Sequence, residues 1–481
     1  MNDLLLHYPD NPALIPDQIE AMLDGQPLTV RKYSRFDEPL YVVQAETDPG
    51  TEHEVHLVFK RKYRSLSLHP KRLGLSLDPQ KKGASIRFSG APYLVVECDA
   101  LGYLVLLFEP PGDIPEGDGV VMATDRGIAS DFHTVQTEAI QNALNEISAS
   151  EDLHTLRLPA GTYRCGDLHF PSNVRLHLDA GALLKASDHA KDIGNPAMKG
   201  ADWNRASFLN ADGAENVSIT GQGIVDGNRT VLDMERYFKG LLLFRNCRNV
   251  TFDSVTFADS CGWGVTPRHC TGVTAHRVKI LNNRPRFGCI NTDGLNPDSC
   301  ENVLIDHCFF HTGDDAVAVK TTNYRCEPGS VRNVKVRDLL AINNSATAKI
   351  GTETLGEVME DIHFERVDAV RTCRLCVVDA YDVAAIRNCS FRECHVHELD
   401  GNWEDEGVID IRMPREGMGF RPLKGEAVIE NLLLESIHAE DPEAPSSVLI
   451  RMDGDKPALR NLTVRNFTCG GIPSELKEER I

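Results

Sequence analysis

The chain has 481 residues, of which 41% are hydrophobic, and carries a formal net charge of −20. That charge excludes a nucleic-acid or anionic-membrane surface as the expected partner, since either would demand a basic face. The length exceeds one ordinary domain and provides for a large core. No apolar run approaches bilayer-spanning length, and the opening MNDLLLHYPDNPALIPDQIE has neither a basic start nor a continuous apolar segment. A cytoplasmic location is therefore expected, with the 14 cysteines as buried free thiols rather than disulfides.

From about residue 27 to 110 the chain reads as short strands, among them YVVQAE, HEVHLVF, ASIRFSG, YLVVECD and YLVLLFE, separated by Gly, Pro, Asp and charged turns. The pattern predicts a small N-terminal β-sandwich over residues 1–115. The Pro- and Gly-rich PPGDIPEGDG (110–119) is the expected linker to a second domain, 116–481. TEAIQNALNEIS follows, with Ile140, Leu144 and Ile147 at helical spacing behind Thr137 as the expected N-cap.

Beyond that helix a motif recurs: a small residue or Cys, then a spacer, then Asn, Asp or Gly, then a branched apolar residue opening an alternating run. PSNVRLHL, AENVSIT, CRNVTFDSV, CENVLIDHC, VRNVKVRDL and IENLLLESI are instances. The branched position falls at 174, 217, 250, 273, 303, 334, 362, 389, 432 and 462, so most steps are 23 to 33 residues. A strand-periodic repeat of that length without a Leu-rich consensus predicts an all-β, right-handed parallel β-helix. A propeller needs a longer period and hairpin turns that are sparse here. The helix over 137–148 would cap the open first coil and cover its strand edges. Two long steps imply insertions, 185–206 and 401–425, that could wall a groove. Cys247, Cys270 and Cys300 sit three residues before their markers, as an interior ladder of thiols would. Cys373, Cys376, Cys389 and Cys394, with His395 and His397 close behind, echo zinc-ligand spacing only loosely.

NTDGLNPDSCENVLIDHCFFHTGDDAVAVK, residues 291–320, carries the densest chemistry. Stacking Leu295 on Val317 in successive coils, about 4.8 Å apart, places Asp293 on Asp315 with Asp314 one residue earlier. Crowded carboxylates resist joint ionisation, which raises at least one pKa toward that of a general acid working near neutrality. Two carboxylates gripping a water and a third donating a proton is the set an inverting glycosidase requires. The plain alternative is that TDG and TGDD are turn strings. A Ca²⁺ cage using the Asn291 carbonyl is the other reading. Lys320, Arg325 and Lys349 could neutralise the cluster or hold an anionic sugar, and Trp263 and Trp403 could stack on a pyranose face.

TEAIQNAL, LPAGTYRCGDLHFPSNVRLHLDAGALL, ENVSITGQGIVDGN, NTDG and TGDDAVAVK, in that order, resemble the polygalacturonase-like glycoside hydrolases, family 28, over roughly residues 130 to 370. The resemblance implies an inverting hydrolase in which Asp314 is the general acid and Asp293 and Asp315 activate water. The family's Gly-His-Gly string is absent: SATAKIGTET has Ala346 where the histidine would stand. The Arg-Ile-Lys string that binds a uronate carboxylate has no clean counterpart, RLCVV and DIRMP being poor matches. The sandwich-first layout is similar to the dextranase and isopullulanase family, which acts on neutral α-glucans. Lys349 and Glu353 then become expected substrate contacts.

The expectation is an inverting glycoside hydrolase of an oligo- or polysaccharide, possessing catalytic Asp293, Asp314 and Asp315. Substrate-binding Lys349, Glu353, Lys320, Arg325, Trp263 and Asn291 would complete the site, with no cofactor and no metal. The expected partner is a carbohydrate, neutral or modified, with no nucleic acid or membrane and the oligomeric state left open. A uronide hydrolase, a Ca²⁺-dependent lyase or epimerase, and a noncatalytic carbohydrate-binding β-helix are the alternatives.

Overall fold

A computed structural model describes residues 3–7, 18–33, 40–189, 192, 207–228, 240–282, 291–323, 326–399, 407–413, 427–441, 448–452 and 459–474. Two five-stranded sheets form between Ile19 and Glu109. One has Glu52–Phe59 at its centre and the other Gly102–Glu109, flanked by Leu40–Glu46 and Tyr93–Cys98. Facing residues Val43, Val55, Leu57, Ile86, Leu94, Val96, Leu104, Leu106 and Phe108 bury a core between the sheets.

The second sheet is apolar on both faces. Leu40, Val42, Tyr93, Val95, Tyr103, Val105 and Leu107 point away from the sandwich core and pack on Ile224, Ala258, Leu281, Phe309, Leu340, Ile342 and Val370 of the C-terminal part. That is why YLVLLF and YLVV are continuous apolar runs rather than alternating ones: a strand buried on both faces has no polar side. The sandwich is thus seated on the side of the second unit.

From Val120 onward the strands are parallel, apart from the final turn at Ile472, and stack into a right-handed parallel β-helix. The repeat markers set the register. Val174, Val217, Val250, Val273, Val303, Val334 and Ile362 pair in succession, and Cys389, Leu432 and Leu462 do likewise. The residue before the marker owes its identity to backbone geometry. Asn173, Asn216, Asn249, Asn302, Asn333, Asp361, Asn388, Asn431 and Asn461 all have φ between 53° and 60°, and Gly272 takes 73°. Only Gly, Asn and Asp visit this left-handed region readily. Where Asn follows Asn the amides join the coils: Asn216 donates to Asn173 (2.8 Å), Asn249 to Asn216 (3.1 Å) and Asn333 to Asn302 (2.7 Å).

The helix runs Thr137–Ala149 and buries Ile140, Ala143, Leu144 and Ile147 against the first coils. Thr137 is its first residue rather than the N-cap, which is Gln136 with no side-chain cap bond. The Thr137 hydroxyl instead accepts the Gly166 N–H at 2.7 Å, tying helix to coil. Within the helix interior Cys270 and Cys300 stack, Cys270 N–H lying 3.4 Å from the Cys300 sulfur, and the described cysteines are all free. Most of the 185–206 insertion, the ends of the 401–425 one and Trp403 lie outside the described residues. No described helix is long and apolar enough to cross a membrane.

Candidate active site

The third wall of the β-helix consists of two short parallel sheets. One ends in Val265–Arg268; the other begins with Val317–Thr321 and continues through Ala346–Thr354, Arg374–Asp379, Gly407–Met413 and Val448–Met452. Between them the segment around Asp293 makes only single bridges, Leu295 to Val265 and to Val317, and Asp298 to Arg268 and to Lys320. The Leu295–Val317 pairing expected from the repeat is present. Gly294 N–H donates to the Asp315 carbonyl at 2.9 Å, so Asp293 stands directly over Asp315. Close backbone approach explains Gly294: a Cβ there would meet the Ala316 carbonyl oxygen at 2.4 Å.

The carboxylates have unlike surroundings. Asp293 is 2% exposed. Its Oδ2 accepts from Asn296 Nδ2 (2.8 Å) and Lys320 Nζ (3.1 Å). Burial pushes its pKa up, Lys320 opposes and Asp315 adds to the rise, which prevails. Asp315 is equally buried, and accepts from Ala346 N–H (3.0 Å) and Lys349 Nζ (2.9 Å). Burial alone would raise it; Lys349, Lys320 and Arg374 outweigh burial and hold it well below the usual carboxylate range. Asp314 is the half-buried member. Among the described residues it accepts backbone N–H groups, from Asn291 (2.6 Å) and Asp315 (2.9 Å). Burial, then Asp293 and Asp315, push it up to about 7.

The other expected residues divide. Lys320 bridges Asp293 (3.1 Å) and Glu353 (3.4 Å). Lys349 bridges Asp315 (2.9 Å) and Asp379 (3.5 Å). Asn291, with φ 68°, presents its N–H to Asp314. Trp263 corrects an expectation: at 3% exposure, with Lys320 Nζ 4.1 Å from its ring centre, it offers no open stacking platform and supports the lysine instead. Arg325 lies outside the described residues. His311 is buried, its Nδ1 bonded to the Asn282 carbonyl at 2.9 Å.

Sequence reading missed Asn296 and an ion-pair network in the following coils. Arg374, in the RLCVV set aside above, pairs with Ala346 in register. Its guanidinium lies 3.2 Å from Asp379 and 3.3 Å from Asp410. Arg412, from DIRMP, lies 2.5 Å from Asp410. The available signal was charge within otherwise apolar strands: RLCVVD and VIDIRM set Arg and Asp among core residues, where Asp379 and Asp410 are buried and need a cation.

Lysine ammoniums already complement Asp293 and Asp315, as in an ion-paired cluster rather than a cage offering free oxygens to a hard cation. Among the described residues the groups close enough to share an ion are His69–His397–Glu440 and His276–Asp306–His307, both elsewhere.

Comparison with known proteins finds the same likeness to polygalacturonase-like glycoside hydrolases that the sequence motifs carry. Residues 149–367 match Glycosyl hydrolases family 28. The chain is 29% identical over 274 residues to a "Probable polygalacturonase" of Vitis vinifera, covering 52% of this chain and 54% of that protein. The chain thus spans little more than half the length of the curated relatives it matches. Among solved structures it is similar to the family 28 exopolygalacturonase of Yersinia enterocolitica, with TM-score 0.58, 16% identity and coverage of 94% of this chain and 98% of that one. It is also similar to Dex49A of Penicillium minioluteum, with TM-score 0.61, 12% identity and coverage of 96% and 91%. At these identities the two structures speak to the fold.

Proposed function

We propose that the chain is an inverting glycoside hydrolase in which Asp314 protonates the leaving oxygen while Asp293 and Asp315 orient and deprotonate the attacking water. The observation that carries this reading is the split in protonation across adjacent residues. Asp314 is held up to about 7 and Asp315 well below the usual range. An acid and a base that both work near neutrality need their pKa values pushed apart in this way. The match of residues 149–367 to Glycosyl hydrolases family 28 supports the same chemistry.

For the substrate we favour a neutral glycan. Lys320, Lys349, Arg374 and Arg412 along this wall are each already paired with carboxylates, among them Asp293, Glu353, Asp315, Asp379 and Asp410. An incoming uronate would have to displace one of these partners, at a cost in desolvation and lost pairing. The polygalacturonase names of the relatives favour the uronide reading instead.

A panel of neutral and uronide oligosaccharides, assayed with wild type and Asp314→Asn, separates these readings. Single displacement predicts inverted product anomers by NMR, and retention sinks it. Turnover of uronides alone would reject the neutral-glycan assignment. Unchanged turnover in Asp314→Asn would remove the general acid.

A further inference from the structure

Where the edge of the N-terminal sandwich meets the late coils of the β-helix, imidazoles and carboxylates from separate elements converge. His69 ends the strand Leu66–His69, and Glu97 lies on Tyr93–Cys98. His397 lies on Ala385–Leu399, and Glu440 follows Val428–Ala439 one coil later. One ligand atom from each of His69, His397 and Glu440 falls within 4.8 Å of the others. Glu97 Oε2 stands 3.1 Å from His397 Nε2 and 3.7 Å from His69 Nε2. The two rings are 4.2 Å apart, centre to centre.

Ion pairing accounts for most of this cluster. His397 is held between Glu97 and, through Nδ1 at 2.7 Å, Glu440, and Lys71 also reaches Glu440. His69 is held less closely, its Nε2 lying 3.7 Å from Glu97 Oε2. That residue is 3% exposed, and its Nε2 makes no hydrogen bond with any described residue while pointing at the same carboxylates. A buried ring nitrogen without a hydrogen bond costs free energy, on the order of 1–3 kcal/mol. The cost vanishes if the nitrogen donates its lone pair to a cation.

We propose that His69, His397 and Glu440 form a binding site for a borderline divalent metal ion, Zn²⁺ being the type, that ties the sandwich to the β-helix. Two imidazoles with a carboxylate suit zinc-like ions, whereas Ca²⁺ and Mg²⁺ want oxygen alone. The cysteines that gave His395 and His397 their zinc-like spacing take no part. Cys389 and Cys394 are buried, with their sulfurs on the Arg387 and Arg392 carbonyls. The ligands come instead from three segments distant in sequence, so metal binding would stabilise the junction in proportion to occupancy.

The test is a Zn²⁺ titration of the chelator-stripped full chain against a chromophoric chelator, with Co²⁺ as a spectroscopic probe. The expected result is one equivalent bound, a Co²⁺ spectrum of four-coordinate type, and a raised melting temperature. His69→Gln and the partly exposed Glu440→Gln should each weaken Zn²⁺ at least tenfold, with circular dichroism confirming that both fold. His276→Gln should leave binding unchanged. No binding by the wild type, or wild-type affinity in a folded Glu440→Gln or His69→Gln, would overturn the assignment. So would loss of binding on His276→Gln, which would place the ion at the other histidine group.

Discussion

Two buried clusters in this molecule combine lysine, arginine and carboxylate, and they behave oppositely. Where the N-terminal sheets pack on the β-helix, Glu109 accepts Tyr93 Oη (2.6 Å), Lys279 Nζ (2.7 Å) and Arg277 Nε (2.8 Å). Both Glu109 and Lys279 are fully buried. Burial would raise the Glu109 carboxyl, but Lys279 and Arg277 overcome it and keep the group ionised. On the third wall two lysines serve three aspartates. Asp293 and Asp315 take one each, and Asp314 forms no ion pair among the described residues. A fully complemented carboxylate holds its charge and serves structure, whereas one left short of cations beside two others keeps its proton and can give it away.

Breaking the uncomplemented member should have the largest effect on turnover. Asp314→Asn is expected to lower kcat by about 10²–10⁴-fold, the usual contribution of a general acid, with little change in urea midpoint. Breaking the complemented member should do the reverse. Glu109→Ala strands two buried cations and is expected to cost about 3–5 kcal/mol in unfolding free energy, read by urea denaturation, while the protein that remains folded keeps its kcat. The stability Glu109 contributes is present above its unfolded pKa and lost as pH falls through its depressed folded one.

The same contrast fixes the pH profile. The proposed mechanism needs Asp314 protonated and Asp315 ionised. Turnover should fall as pH rises past about 7, where Asp314 ionises, and persist into acid until Asp315 takes up a proton. Lys349→Met removes the cation closest to Asp315. Its acid limb in kcat/KM should move toward neutrality by about one pH unit or more, whereas an unmoved limb would separate Asp315 from the base.

What the sequence made legible is what the coil repeats. Val174 to Leu462 mark the register, and Leu295 on Val317 follows from it, which brings the three aspartates together. Residues whose role depends on neighbours outside the repeat were hidden. Trp263 reads as a sugar platform until Lys320 is seen against its ring. Arg374 reads as a failed motif until its coil stacks beside Ala346. His69 and His397 are separated by more than three hundred residues and meet only because the sandwich packs sideways on the solenoid.

The smallest expected effect tests the repeat itself, where neither charged cluster contributes. Asn249 is exposed, has φ 54° and donates its amide to Asn216. Alanine there loses the amide bond and must hold a left-handed conformation that costs a side chain about 1 kcal/mol. Glycine loses the bond alone. The next coil already has Gly272 at the equivalent corner, with φ 73°. Asn249→Ala should therefore lower the urea midpoint by roughly 1 kcal/mol equivalent, and Asn249→Gly by clearly less. Equal losses would mean that the amide ladder, rather than the backbone corner, selects asparagine before each marker.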